Sequence, residues 1–407
     1  VTVIKDKTLK TNPWYFVIET GEGKDRKRIK RRGFKRKQDA EEAERTLRSE
    51  LKLGLNIDAS KTVYRDYMAD YLKDKKTRVK GRTLDTYESM VNNHILPVRK
   101  NSDGKDVGLG DLTLAEITPR HIQNLYNHLQ ESGSLSGENI QKVHTLINES
   151  LEKAAGWDMI IKNPAAVVDR PKAETKEMLY WNEEESHKFL EAAKTDRYYH
   201  AFLLALTTGM RQGEILGLSW ADVDTKRRTI SVRQTLDHYG KQIDQGTKTI
   251  SGMRSIGIDK TTAAELDALK HRFNEERMAN KDIYNEKFQL VISTKLGSPL
   301  SPRNLNRSFE RIVNKINDAI AEGEDKLKKI RFHDLRHTHV VMLLKLRENN
   351  KRIAERMGWS SVKMLDRYSH ITAHMQQETA DAFGEMFFSK QEETEGKLVP
   401  KLVPEAK

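Results

Sequence analysis

The chain has 407 residues, no cysteine and a formal net charge of +12, with a pI near 9.4 and a mean hydropathy of −0.74. Its length exceeds one typical domain, so two or three are expected. The absence of cysteine excludes disulfides, thiolate zinc sites and a cysteine nucleophile, and fits a reducing cytoplasm. No uncharged apolar run approaches about 20 residues, so no membrane span is expected, and residues 1–10 lack the apolar core of a signal peptide. The excess positive charge points to an anionic partner.

Residues 14–19, WYFVIE, read as a strand, and Gly21 and Gly23 as a turn. The run 24–37 then holds ten Lys or Arg and one Asp, with 28–33 as the return strand of a hairpin. From 38 to 53 the stripe Ala40, Ala43, Leu47, Leu51 has helical spacing. A charge run can be a solvated, disordered tail. The interleaved aromatics favour a folded two- or three-stranded sheet, which fits the major groove of DNA. Phosphate contacts are assigned to Arg28, Lys30, Arg31, Arg32, Lys35 and Arg36; the base-reading residues stay unassigned.

Residues 62–73 are amphipathic through Val63, Tyr67 and Tyr71. A second helix is expected after Thr83, through Leu84, Tyr87, Met90 and Val91, ended by Pro97. A third starts at Pro119, with Ile122, Leu125, Tyr126 and Leu129 inward, and a fourth covers 136–155 through Ile140, Val143, Ile147 and Leu151. The polar stretch 99–110 reads as a surface loop. A plain helical bundle satisfies this spacing; the basic cluster Lys80, Arg82, Thr83, with Lys142 and His144 on the fourth helix, favours a bundle that binds DNA. Two prolines and mixed charge over 163–178 mark an interdomain linker.

Asn182 and Glu185 read as a helix cap and its partner three residues on. The segment 201–206 is wholly apolar, so buried, and Gly209 stops it. Arg211 follows at a helix start with Glu214 within reach, an arrangement that suits a phosphate seat. Residues 228–235 alternate as a strand, and β-branched residues flank a turn at 251–252, as in a hairpin. A helix over 298–316 has Leu305, Phe309, Ile312, Val313 and Ile316 as its core stripe. His333 and Arg336 stand three apart and can share a target; imidazole and guanidinium together suit phosphate oxygens. Gly358, Trp359, Ser360 and Ser361 follow a helix, and Tyr368 lies beyond them. His333 and His337 at i, i+4, with His339, raise the question of a metal site, but there is no H-E-x-x-H pattern and no Cys.

The sequence T-G-x-R-x-x-E at 208–214, H-x-x-R at 333–336, G-W-S-S at 358–361 and the Tyr at 368 together resemble the tyrosine recombinases, the integrases of temperate phages and mobile elements. The resemblance implies a multidomain, mainly α chain. A small sheet-plus-helix arm-binding domain would cover 1–58, a helical core-binding domain 59–165 and a linker 166–177. A mostly α catalytic domain with a small antiparallel sheet would cover 178–385, and a tail 386–407. It implies Tyr368 as the nucleophile on a scissile phosphodiester, giving a 3′-phosphotyrosyl link and a free 5′-hydroxyl. Arg211 and Arg336 would clamp the non-bridging oxygens, with Glu214 in support. Trp359 would donate one hydrogen bond, and His333 would carry any acid–base role that an indole cannot. Lys248, in the run T-K-T-I-S-G-M-R at 247–254 that is similar to the family's lysine hairpin, would be the general acid. Neither nucleotide nor metal is required. The implied partners are core and arm attachment sites on double-stranded DNA, three further copies of the chain, an excisionase and a DNA-bending host factor. The implied location is the cytoplasm, on the nucleoid when bound to DNA. Two alternatives stand: a type IB topoisomerase, which shares the chemistry but needs no arm domain, and a non-catalytic DNA-binding regulator.

Overall fold

The structure, a computed structural model, describes residues 3–20, 27–52, 54–79, 81–173, 178–246, 252–321, 323–369 and 379–388. The chain divides into two compact units, Val1–Lys176 and Glu177–Lys407.

The first unit opens with strands β1 (Val3–Lys5), β2 (Trp14–Thr20) and β3 (Lys27–Phe34), an antiparallel sheet in that order. Alternation sends Phe16 and Ile18 to one face, where they meet Ala40 and Leu47 of helix α1 (Lys37–Lys52). On the other face Tyr15 pairs with Arg32, Val17 with Lys30 and Glu19 with Arg28. The register shifts between Trp14 and Tyr15, opposite Gly33, whose φ of 98° suits glycine.

After a single turn, α2 (Ile57–Ser60), a second core gathers α3 (Tyr64–Lys76), α4 (Gly81–Met90), a π-helical turn Val91–Ile95, α5 (Pro119–Glu131) and α6 (Gly137–Gly156). Tyr64 and Tyr67 are buried against α6: the Tyr64 hydroxyl lies 2.7 Å from that of Ser150, and Tyr67 donates to the Ser150 carbonyl at 2.6 Å. The inward residues expected of α5 and α6 are all buried. Two expectations change here. Helix α4 starts at Gly81, so Thr83 lies inside it rather than before it. The stretch 99–110 is no simple surface loop: β4 (Arg99–Lys100) and β5 (Asp106–Val107) pair, and Val107 and Leu109 are buried. Gly108 and Gly110 make this possible, because a Cβ there would stand 2.2 Å from the Pro97 carbonyl oxygen and 2.4 Å from that of Leu96.

The second unit begins with α7 (Glu183–Ala193), capped as expected by reciprocal hydrogen bonds between Asn182 and Glu185. Helix α8 (Tyr199–Thr208) is buried nearly all round and ends at Gly209 in the left-handed conformation. A short helix α9 (Gln212–Leu216) follows. Strands β6 (Val223–Asp224), β7 (Thr229–Val232) and β10 (Arg254–Gly257) form one antiparallel sheet, with β7 central. Strands β8 (Gln234–Leu236) and β9 (Ile243–Gln245) form a separate hairpin, so the strand expected over 228–235 is broken at Arg233. The turn expected at 251–252 lies partly outside the described residues; β10 beyond it pairs with β7. Helices α10 (Lys260–Ala279), α11 (Pro302–Asp318), α12 (Asp334–Lys345) and α13 (Asn350–Met357) complete the unit. Trp181, Phe189, Phe202, Phe309 and Phe332 meet ring to ring at the centre of its core. Helix α11 starts at Pro302, four residues later than expected, and buries the anticipated stripe.

Candidate active site

Three helix ends build the site. Gly209 closes α8, and a Cβ on it would meet His339 Cδ2 at 2.7 Å and Met357 Cε at 2.9 Å. This glycine thus serves both the left-handed turn and a close approach to α12 and α13. Arg211 is the N-cap of α9. Its backbone N–H donates to Glu214 Oε2 at 2.9 Å and its guanidinium to Oε1 at 2.8 Å, while the Arg211 side chain stays 42% exposed. It is oriented yet open to a ligand.

Glu214 is 4% exposed. Burial alone would raise its pKa; hydrogen bonds and charge from Arg254, with the charge of Arg211, outweigh that and hold it below the usual carboxylate range.

Arg336 projects from α12 between the other two helix ends. Its guanidinium donates to the carbonyls of Gly209 and Met357, groups that α8 and α13 leave unpaired at their C-termini. The Arg336 guanidinium carbon lies 5.8 Å from the Trp359 ring centre. Burial, and then the neighbouring charge of Arg211, push Arg336 down to about 9. The two guanidiniums thus feel each other's charge.

His333 is the N-cap of α12 and packs edge-on against His337 at 5.5 Å. The protein crowded about its ring, followed by the charge of Arg336, pushes its pKa below the ordinary imidazole value, although one edge stays exposed to solvent.

Tyr368 ends the 3-10 turn Val362–Tyr368, whose start is capped by Ser361. It is 1% exposed, and its hydroxyl lies 2.6 Å from His337 Nδ1. Burial pushes the phenol up to about 12, against the pull of Arg336 and Arg367. Trp359 lies beside it, with ring centres 6.3 Å apart.

The structure thus gathers Arg211, Glu214, His333, Arg336, Trp359 and Tyr368. Lys248 lies outside the described residues, as does Lys80. Three residues given no part in the strand-transfer chemistry join the site. His337, noted in the sequence only when a metal site was weighed, faces Tyr368. Arg254 holds Glu214, its only sequence signal being the Arg that closes the run T-K-T-I-S-G-M-R at 247–254. Arg356 donates to His339 Nε2 at 3.0 Å and to the Thr207 carbonyl at 2.8 Å. His339 spends its other nitrogen on the Leu206 carbonyl, at 2.7 Å.

Of the expected DNA contacts, Arg28, Lys30 and Arg32 share the open sheet face with Tyr15. The Lys30 ammonium lies 4.2 Å from the Tyr15 ring centre. Register places Arg31 opposite Phe16, on the α1 side, and Arg36 is paired with Asp39 at 2.8 Å. Lys35, Arg82, Thr83 and Lys142 are exposed. His144 instead packs in the bundle, its Nδ1 3.1 Å from the Tyr126 hydroxyl.

Comparison with known proteins finds matches over three segments of the chain. Residues 180–375 match the phage integrase family, 63–130 the N-terminal SAM-like domain of phage integrases, and 3–51 an arm DNA-binding domain. A XerC-like tyrosine recombinase of Caldanaerobacter subterraneus is 26% identical, over 94% of this chain and 99% of its own length. The ICEBs1 integrase of Bacillus subtilis is 28% identical, over 78% of this chain and 81% of its own. In structure the chain is similar to the Tn1549 transposon integrase in complex with a circular intermediate DNA, with a TM-score of 0.61, 20% identity and coverage of 77% of this chain and 99% of that one. It is also similar to a lambda integrase dimer bound to a core site, with a TM-score of 0.55, 18% identity and coverage of 90% and 94%. The chain belongs to the phage integrase family, the tyrosine-type site-specific recombinases of DNA.

Proposed function

We propose that this chain cuts and rejoins DNA at the attachment sites of a mobile element through a 3′-phosphotyrosyl intermediate. The observation that carries this reading is the convergence of two charged guanidiniums, Arg211 and Arg336, beside the buried phenol of Tyr368. Arg211 and Arg336 bind the non-bridging oxygens and gain strength as charge builds in the pentacoordinate transition state. Tyr368 attacks phosphorus, and its bond to the 3′-phosphate replaces the bond to the 5′ oxygen. His333 accepts the proton that the phenol gives up as it attacks, and Lys248 protonates the leaving 5′ oxygen. Energy is kept in the protein–DNA link, so the reverse attack by a partner strand's 5′-hydroxyl rejoins DNA without nucleotide or metal.

The phenol of Tyr368 is shielded and held above its ordinary pKa, so attack requires its 3-10 turn to shift and bring it to the phosphate. Arg28, Lys30 and Arg32 on the open sheet face contact arm-site phosphates, and Arg82, Thr83 and Lys142 contact core-site DNA. Four copies act together through a four-way junction. A lambda integrase tetramer bound to a Holliday junction has a similar fold, which supports that stoichiometry. Excisionase and a DNA-bending host factor set the direction. The work is cytoplasmic, on the nucleoid.

Suicide-substrate trapping tests this. The protein is incubated in EDTA with a nicked duplex spanning the joined ends of its own element, and a covalent adduct is sought on a denaturing gel. An adduct that disappears in Tyr368→Phe supports the reading; tight binding with no adduct favours a regulator. Exchange between two duplexes then separates a recombinase from a topoisomerase, and the basic sheet of residues 3–34 favours the recombinase.

A further inference from the structure

Arg254, on β10, is 6% exposed at its side chain and donates from all three guanidinium nitrogens. It donates to Glu214 Oε2 at 2.9 Å and to Oε1 at 3.2 Å. Its Nε donates to the carbonyl of Arg356 at 2.7 Å, and Nη1 also reaches the Gly252 carbonyl at 3.1 Å. Glu214 is the group that holds Arg211 by side chain and backbone. The Arg356 carbonyl lies one residue before that of Met357, which binds Arg336. Arg254 therefore touches the support of both guanidiniums and belongs to neither.

We propose that Arg254 is a positioning residue that fixes the spacing of Arg211 and Arg336, through Glu214 on one side and the Arg356–Met357 backbone on the other. The inference rests on the strand-transfer reading above. A buried carboxylate left without its cation would have reason to pick up a proton or to turn toward Arg211, and either change misplaces the Arg211 fork. A shift of the Met357 carbonyl does the same for Arg336. Rigid support of this kind matters because a clamp stabilises developing charge only when it is held in place before the reaction.

The test compares a scissile phosphate with a scissile methylphosphonate, in which an uncharged methyl replaces one non-bridging oxygen. Less charge then has to be neutralised, so a defect in the clamp is felt less. On nicked duplex spanning the element's joined ends, Arg254→Met is expected to lower the rate of covalent adduct formation about a hundredfold with phosphate. The defect is expected to shrink to within about tenfold with methylphosphonate, as for Arg211→Met. The double variant Glu214→Gln with Arg254→Met leaves no unpaired buried charge, which protects folding. It is expected to show the same substrate-dependent defect with an unfolding midpoint near that of the parent. Equal losses on both substrates, or near-parental rates in the double variant, overturn the inference and leave the strand-transfer reading intact. Absence of any Tyr368-dependent adduct from the parent chain overturns both.

Discussion

A guanidinium bound to two helix-terminal carbonyls supports the fold before any DNA arrives. Replacing Arg336 by Met leaves the Gly209 and Met357 carbonyls without that donor. Stability is expected to fall by about 2–4 kcal/mol, read from urea unfolding, together with loss of adduct. Arg336→Lys restores charge without the fork and should recover less than half of the stability loss. His339 makes a different prediction. Burial pushes it down to about 3 from an ordinary value of 6.5. The unfolded chain therefore binds the proton that the folded chain refuses, so stability is full above about pH 6.5 and declines as pH falls toward about 3. That group alone is expected to remove about 1.4 kcal/mol between pH 7.5 and 5.5. Denaturant midpoints across this window measure it, and His339→Gln, which removes the titration, should flatten the slope.

Among elements, the end of α8 is the most demanding. Gly209 combines φ of 64° with side chains of α12 and α13 closer than a Cβ allows. Gly209→Ala is expected to cost about 2–4 kcal/mol, more than the strain of a left-handed alanine alone. It also moves the carbonyl that Arg336 holds, so thermal melting and adduct formation should fall together. A glycine after an apolar run reveals such a stop in the sequence, and helical spacing revealed α5, α6 and α11 equally well. The hairpin β4–β5 escaped because Val107 and Leu109 are too few to set a period amid polar residues. The division of 229–236 into two sheets escaped too, because both halves alternate alike and only their partners differ.

For the whole molecule the governing quantity is charge. The excess of Lys and Arg gives a net +12, and Arg28, Lys30 and Arg32 stand together on one open face with Tyr15. Changing all three to Gln is expected to reduce the slope of log affinity against log salt by about 2–3 for a duplex carrying the arm site. Fluorescence anisotropy from low to moderate salt measures the slope; an unchanged slope would place arm DNA elsewhere. No helix among the described residues is long and apolar enough to cross a membrane.

The motif residues Arg211, His333, Arg336, Trp359 and Tyr368 were legible in the sequence through the resemblance to the tyrosine recombinases, whose motifs keep a fixed order and local spacing along the chain. Length and composition pointed to two or three domains and an anionic partner, and hydrophobic period to most of the helices; the arrangement of domains came from the resemblance. Only the tertiary structure decided what supports those residues. Arg254 reaches Glu214 from 40 positions away, and His337 meets Tyr368 across 31. Hydrogen bonds over such separations leave no periodicity in the chain; they exist because folding brings β10, α9, α12 and the Tyr368 turn to one place and excludes water there, so that each polar group must find its partner in the protein.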